Sequence, residues 1–346
     1  MKKKGKEEDE KEDEEEVILG NLKLRVLLVR DPSEEILLLW ALQQPALAKQ
    51  NQFVDQTAVR FHIDACGYNL CILQAPSCLS ASGVTGGVMW DSGVILAKFL
   101  EHAVDAQLLH LQGKKCLELG AGCGLVGCVA TLLGAQVVFT DLPDRLRLLH
   151  KNVNENLSSF MTSNVASIMD LKWGDEIPSN LFKPSLDYVF ASDVVYNEDV
   201  VPELLSSIRG LCSPQTTVLI AGELRNDSVL ERFLELALKD FQIGRIQETS
   251  WHPSYRSQRV AIFVMPLGQG EGGDSSVILY ELNERGHYCG SDQMEIMLKN
   301  FSDYYAKRKI AGDFSVSLSC LRGHGHLYCS NQYGKMIHGW PKTIRF

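Results

Sequence analysis

The chain has 346 residues, of which 45% are hydrophobic and 22% charged, and its formal net charge is −9. That length suits one core domain of about 200 residues with additions, and the composition is that of a globular chain able to bury a core. The acidic balance disfavours a general nucleic-acid surface, no apolar run is long enough to span a bilayer, and the basic start MKKKGK runs into an acidic block instead of an apolar signal core.

Residues 1–16 hold five lysines against nine acids, so a solvated, disordered tail is expected there. None of the ten cysteines falls in a C-x-x-C pair, which suits free thiols in a reducing compartment, cytoplasmic or also nuclear. Near the end, CLRGHGHLYC brings Cys320, His324, His326 and Cys329 close in sequence. Its surroundings carry no other ligand pattern, and no metal site is expected.

In chain order, residues 17–48 mix short apolar runs with polar breaks and yield no clear element. Val59 to Pro76 alternates on both sides of Gly67, which predicts a β-hairpin. A small-residue loop follows over Ala81 to Gly87, and then a helix with Asp91 or Ser92 as its cap. Lys114 to Leu119 predicts a buried strand, Gly120, Gly122 and Gly124 a turn, and Leu125 to Leu133 a helix stopped by Gly134. Gln136 to Thr140 predicts the next strand, with Asp141 at its carboxyl end.

The alternation continues with a helix over Pro143 to Leu157, strands over Val165 to Trp173 and Leu186 to Ser192, and a helix over Val200 to Leu211. A strand over Thr216 to Ala221, a helix over Ser228 to Lys239 and strands over Phe241 to Thr249 and Gln258 to Met265 complete it. The fold class is therefore α/β: a doubly wound, mostly parallel, seven-stranded Rossmann-like sheet whose last strand pair is antiparallel, preceded by a β-hairpin. The expected organisation is a tail over 1–16, an extension with the hairpin over 17–76, a core domain over 77–266, and a glycine-rich linker with a weakly periodic extension over 267–346.

CLELGAGCGLVGCVATLLGAQVVFTD, residues 116–141, carries the chemistry. Glycines let the backbone turn and let a ligand approach the main chain, helix-start amides donate to it, and an acid at the next strand end can accept two ribose hydroxyls. This is a nucleoside-cofactor pattern. Gly122, Gly124 and Gly127 also fit the dinucleotide fingerprint with Asp141 at suitable spacing, so the glycines alone leave the cofactor open. Glu118 ahead of the turn and the early Gly120 lean away from a dinucleotide.

Residues 55–265 resemble the seven-β-strand S-adenosylmethionine-dependent methyltransferases, and within them the non-SET protein lysine methyltransferases. Four motifs carry the resemblance in order: GVMWD, ELGAGCG, LKWGD and SDVVY. It implies S-adenosylmethionine as cofactor and a protein lysine as acceptor. It also implies cofactor contacts from Trp90, Glu118, Gly120, Gly122, Gly124, Asp141, Trp173 and Ser192, with Trp173 near adenine and Trp90 near the methionine portion. Asp193 and Tyr196 would face the methyl group and the incoming lysine. A scaffold that binds the cofactor without catalysis, and a nucleic-acid or small-molecule methyltransferase, remain as alternatives. The nucleobase version is expected to carry Asn- or Asp-Pro-Pro-Tyr where this chain has Asp193-Val-Val-Tyr196. A nicotinamide-dependent reductase shares the turn, but no Tyr-x-x-x-Lys or similar hydride-transfer pair accompanies it.

Overall fold

The computed structural model describes residues 19–77, 86–158, 165–182, 185–268, 314–321, 324–331 and 344–345. The tail over 1–16, residues 81–85 of the small-residue loop and the stretch 269–313 lie outside the described residues. The chain divides into two units, one of residues up to 36 with 44–268, the other of 37–43 with those beyond 268.

Up to residue 268 the order begins β1 (Val26–Val29), α1 (Pro32–Gln43), β2 (Arg60–Ala65), β3 (Tyr68–Leu73), α2 (Asp91–Asp105), β4 (Lys115–Leu119), α3 (Leu125–Leu132), β5 (Gln136–Asp141) and α4 (Leu146–Leu157). It continues β6 (Ala166–Asp170), α5 (Ser179–Phe182), β7 (Tyr188–Ser192), α6 (Val201–Leu211), β8 (Thr217–Glu223), α7 (Asp227–Ala237), β9 (Ile243–Ile246) and β10 (Val260–Pro266). Strands β4 to β10 make the predicted sheet, in the order β6-β5-β4-β7-β8-β10-β9. The first five are parallel, and β10 runs antiparallel to both β8 and β9. Each parallel crossover carries a helix that covers a face, which is why Cys116–Leu119, Tyr188–Ala191 and Val218–Ala221 are buried on both sides.

An eighth strand was not anticipated. β1 pairs antiparallel with β9, Val26 opposite Ile246 and Val29 opposite Ile243, and extends the sheet past its expected edge. Four residues are too few for a periodicity signal. Beside this pairing lies a buried ion pair, in which Arg245 on β9 donates through Nε to Glu35 of α1 at 2.5 Å.

The hairpin β2–β3 forms as predicted, with Arg60 opposite Leu73 and Ala65 opposite Tyr68. It is held against α4 by two asparagines one helical turn apart. Asn152 accepts from Leu73 N at 2.8 Å and donates to Leu73 O at 3.0 Å, and Asn156 does the same with Cys71 at 2.8 and 3.0 Å. The two amide groups thus satisfy an edge strand as a neighbouring strand would.

The second unit contains a three-stranded antiparallel sheet of β11 (Phe314–Leu321), β12 (His324–Asn331) and β13 (Ile344–Arg345). The region was expected to be a weakly periodic extension, yet SVSLSC alternates with the period of a strand. Cys320 stands opposite Gly325, His324 opposite Leu321, and Cys329 opposite Val316. Among the described residues, no group of three His, Cys, Asp or Glu could hold a metal ion.

Candidate active site

Strand order reverses direction of growth at β4, which has β5 on one side and β7 on the other, and a doubly wound sheet opens a crevice at that point beyond its carboxyl strand ends. A cavity of about 670 Å³ lies there, within the size range of small-molecule sites. Its walls come from the glycine turn after β4, Asp141 of β5, the loop after β6, Ser192 to Val194 after β7, Arg225 after β8, and Trp90 at the start of α2.

Asp141 closes the turn. Its Oδ2 accepts the N–H of Gly122 and its Oδ1 that of Leu142, both at 2.7 Å. Burial pushes its carboxyl up, while these N–H groups and the Arg145 guanidinium pull it back. A carboxylate has about four lone-pair positions, so each oxygen retains one for a ligand hydroxyl. Glu118 also reaches the cavity but is buried, with its Oε2 held by the N–H of Gly127 at 2.9 Å. Gly120 lies under Trp173: a Cβ there would meet Cζ2 of the indole at 3.1 Å. The ring therefore covers the turn from the loop beyond β6.

Gly124 is not part of the cavity wall. It is the residue before α3, at φ +82°, and a Cβ there would lie 2.6 Å from Leu149 Cδ1. Its glycine serves the chain's entry into α3 and the packing of α4. The helix start of α2 differs from the expected one: Trp90 occupies the cap position without a side-chain bond, and Asp91 turns away to accept Gln52 N and Phe53 N at 2.6 and 3.1 Å.

The same cavity is lined by Trp90, Ser192, Asp193 and Tyr196. Asp193 sits at φ +59°, a conformation uncommon for a residue with a Cβ, and its N–H is tied to Ala221 O at 2.8 Å. The Tyr196 ring lies 6.5 Å from that of Trp173, tilted by 55°. Burial pushes the Asp193 carboxyl up, and Arg225 works against it.

Arg225 and Glu223 were not foreseen. Arg225 forms an ion pair with Asp193, donates from Nε to Glu223 Oε2 at 3.1 Å, and places its guanidinium 4.0 Å from the centre of the Trp90 ring. The available signal was E-L-R directly after a buried run. The strand was expected to stop at Ala221, and with its end at Glu223 these charges fall on the edge where ligands bind. Arg145 beside Asp141 was likewise missed.

A model of the family described as "Lysine methyltransferase" matches residues 79–240. The protein named EEF1A lysine methyltransferase 3 of Xenopus tropicalis is 33% identical over 189 residues, covering 55% of this chain and 79% of its own length. Its Mus musculus counterpart is 34% identical over 202 residues, covering 56% and 82%. The chain belongs to the lysine methyltransferase family. Protein N-lysine methyltransferase METTL21A of Danio rerio is similar as well, 37% identical over 164 residues that cover 47% of this chain and 72% of that one. This lysine methyltransferase uses S-adenosylmethionine. The half-buried acid of β5, the glycine turn and the cavity size fit a nucleoside cofactor, and the match includes all four motifs of the sequence, from Trp90 to Tyr196.

Proposed function

We propose that the cavity holds S-adenosylmethionine along the glycine turn and presents its methyl group, beside Asp193, to the side chain of a protein lysine. The observation that carries this reading is that Asp141 and Asp193 line one cavity, at the carboxyl ends of the two strands that flank β4. Asp141 offers its two remaining lone pairs to the ribose hydroxyls, Gly120 and Gly122 give backbone contact, and Trp173 covers the adenine side. Trp90 and Ser192 flank the methionine portion, and Glu118 holds the helix start that supports the turn.

When bound, S-adenosylmethionine supplies a methyl group already activated by its sulfonium charge. The protein's work is alignment and exclusion of water. Asp193 and Tyr196 orient the lysine nitrogen, whose lone pair must be free of its proton to form the N–C bond. A free lysine titrates near 10.4, so the site must favour the neutral amine.

The catalytic domain is read as residues 77–266. The described cysteines Cys66, Cys71, Cys116, Cys123, Cys128 and Cys212 are free thiols, which supports a reducing, cytoplasmic location. Labelled S-adenosylmethionine, the purified protein and a cell extract test the reading, with EEF1A as one purified acceptor because two relatives are named for it. Label on lysine side chains is the expected outcome. Label on nucleic acid, or cofactor binding with no transfer at all, would replace it with one of the alternatives.

A further inference from the structure

Beside Asp193 the cavity carries a fixed cation. Arg225 is tied on three sides: to Asp193 by an ion pair, to Glu223 Oε2 at 3.1 Å, and to the face of Trp90 at 4.0 Å. Its side chain is one-third exposed, and Asp193 and Glu223 are nearly buried. A guanidinium gripped by two carboxylates and an aromatic face is a built element of the site, since its planar fork can engage both acids while its face stacks. Glu223 Oε1 is buried without a partner, so this acid is oriented by Arg225 and is not closed off by a network of its own.

We propose that Arg225 is a positioning residue for methyl transfer, which compensates Asp193 and Glu223 so that the entering lysine gives up its proton instead of being held as an ammonium. The inference rests on the lysine reading above. Two carboxylates without Arg225 would present a double negative charge to the acceptor, and nearby negative charge favours the protonated amine. With Arg225 the three groups sum to a single negative charge, enough to orient the nitrogen. The bound amine loses its proton to water, its lone pair forms the N–C bond as the S–CH3 bond breaks with its electron pair going to sulfur, and the second proton on the product nitrogen leaves to water.

The other groups around the cavity do not replace Arg225. Asp91 on α2 also bears on Glu223 but is committed to the Gln52 and Phe53 amides. The cavity is also lined by Tyr196, Asp175, Asp199 and Glu203, which add no positive charge, and by the cations Arg145 and Lys172, neither of which forms an ion pair with Asp193 or Glu223 among the described residues.

The test measures kcat against pH, from about pH 6.5 to about pH 10, for the full chain with saturating S-adenosylmethionine and the purified protein that the wild type labels in a cell extract. The midpoint of kcat reports the amine in the ternary complex. Arg225→Gln should raise that midpoint by about one unit, a roughly tenfold loss at neutral pH that high pH recovers. Glu223→Gln should lower it, and Arg225→Lys should stay near the wild-type midpoint. Calorimetric binding of S-adenosylmethionine confirms that each variant is folded. If Arg225→Gln merely scales the profile down at all pH values, or if the Gln variants move the midpoint in the same direction, Arg225 is only a brace for the loop and the proposal falls. A wild type that labels no lysine overturns this proposal together with the lysine reading, whereas labelled lysine with unmoved midpoints overturns this proposal alone.

Discussion

The carboxylate of Glu118, at the centre of the sheet, accepts the N–H of Gly127 at 2.9 Å and is fully buried there. A Cβ at position 127 would come within 2.6 Å of that oxygen and 2.2 Å of Phe139 Cε1, so the helix lies close on the strand only because residue 127 is glycine. Burial pushes the Glu118 carboxyl up to about 8, and Asp141 adds to it, against the pull of the Gly127 N–H. In the unfolded chain it titrates near 4.3. Between these values the folded protein holds a proton that the unfolded chain releases, so stability falls as pH rises through this window, by at most about 1.4 kcal/mol per unit. Glu118→Gln keeps the acceptor and cannot ionise. Thermal unfolding of the cofactor-free protein should therefore show a gap in Tm that widens in favour of Glu118→Gln from about pH 5 to about pH 8. A gap that does not change with pH would mean that Glu118 is ionised inside the fold.

Cofactor choice is read by calorimetry. S-adenosylmethionine should bind and NADH should not. Gly122→Arg should abolish binding, because residue 122 has φ +54° and faces Gly86 with only 3.5 Å from its ideal Cβ to the Gly86 Cα, leaving no room for a long side chain beside a ligand. NADH binding without S-adenosylmethionine binding would refute the assignment.

Asp193→Asn should retain most cofactor affinity and lose methyl transfer by about tenfold to a few hundredfold, the equivalent of one charge-assisted hydrogen bond of about 1.5–3 kcal/mol. Asn is well suited to the positive φ at this position, so backbone strain does not confuse the result. The change also leaves Arg225 with Glu223 alone, and a loss of about 1 kcal/mol of stability is expected, reduced because Arg225 is partly exposed. Tyr196→Phe should be milder. Transfer at the wild-type rate to the same lysine by Asp193→Asn would leave Asp193 a structural residue.

Truncation after Gly270 should leave a folded protein that binds the cofactor. The last strand of the large sheet ends at Pro266, Leu267 bridges to Phe241, and Gly268 N donates to Asp240 O at 2.8 Å, so the cut falls beyond the last of these bonds. Circular dichroism and calorimetry on the shortened chain check it. A large fall in Tm would show that the later residues support the core.

The parallel sheet, its helices, the hairpin and the turn with Asp141 were legible in the sequence, because each is announced by residues a few positions apart. Buried runs, helical spacing, Gly134 as a stop and an acid at a strand end are local signals. The strand over Phe314–Leu321 was equally legible in its alternating serines, and the weak patterning around it obscured the signal. Tertiary structure alone decided where charges meet. Arg225 is 32 residues from Asp193 and farther still from Trp90, so no spacing rule joins them. β1 finds its partner Ile246 only through the closed sheet, and Asn152 and Asn156 look like solvent-facing helix residues until the hairpin edge is placed beside them. Gly124 belongs to the same class: only the tertiary structure places Leu149 Cδ1 2.6 Å from where its Cβ would be. Local physics determines which elements form, whereas the electrostatics of the site depends on distances between elements, which the chain acquires only when the sheet closes.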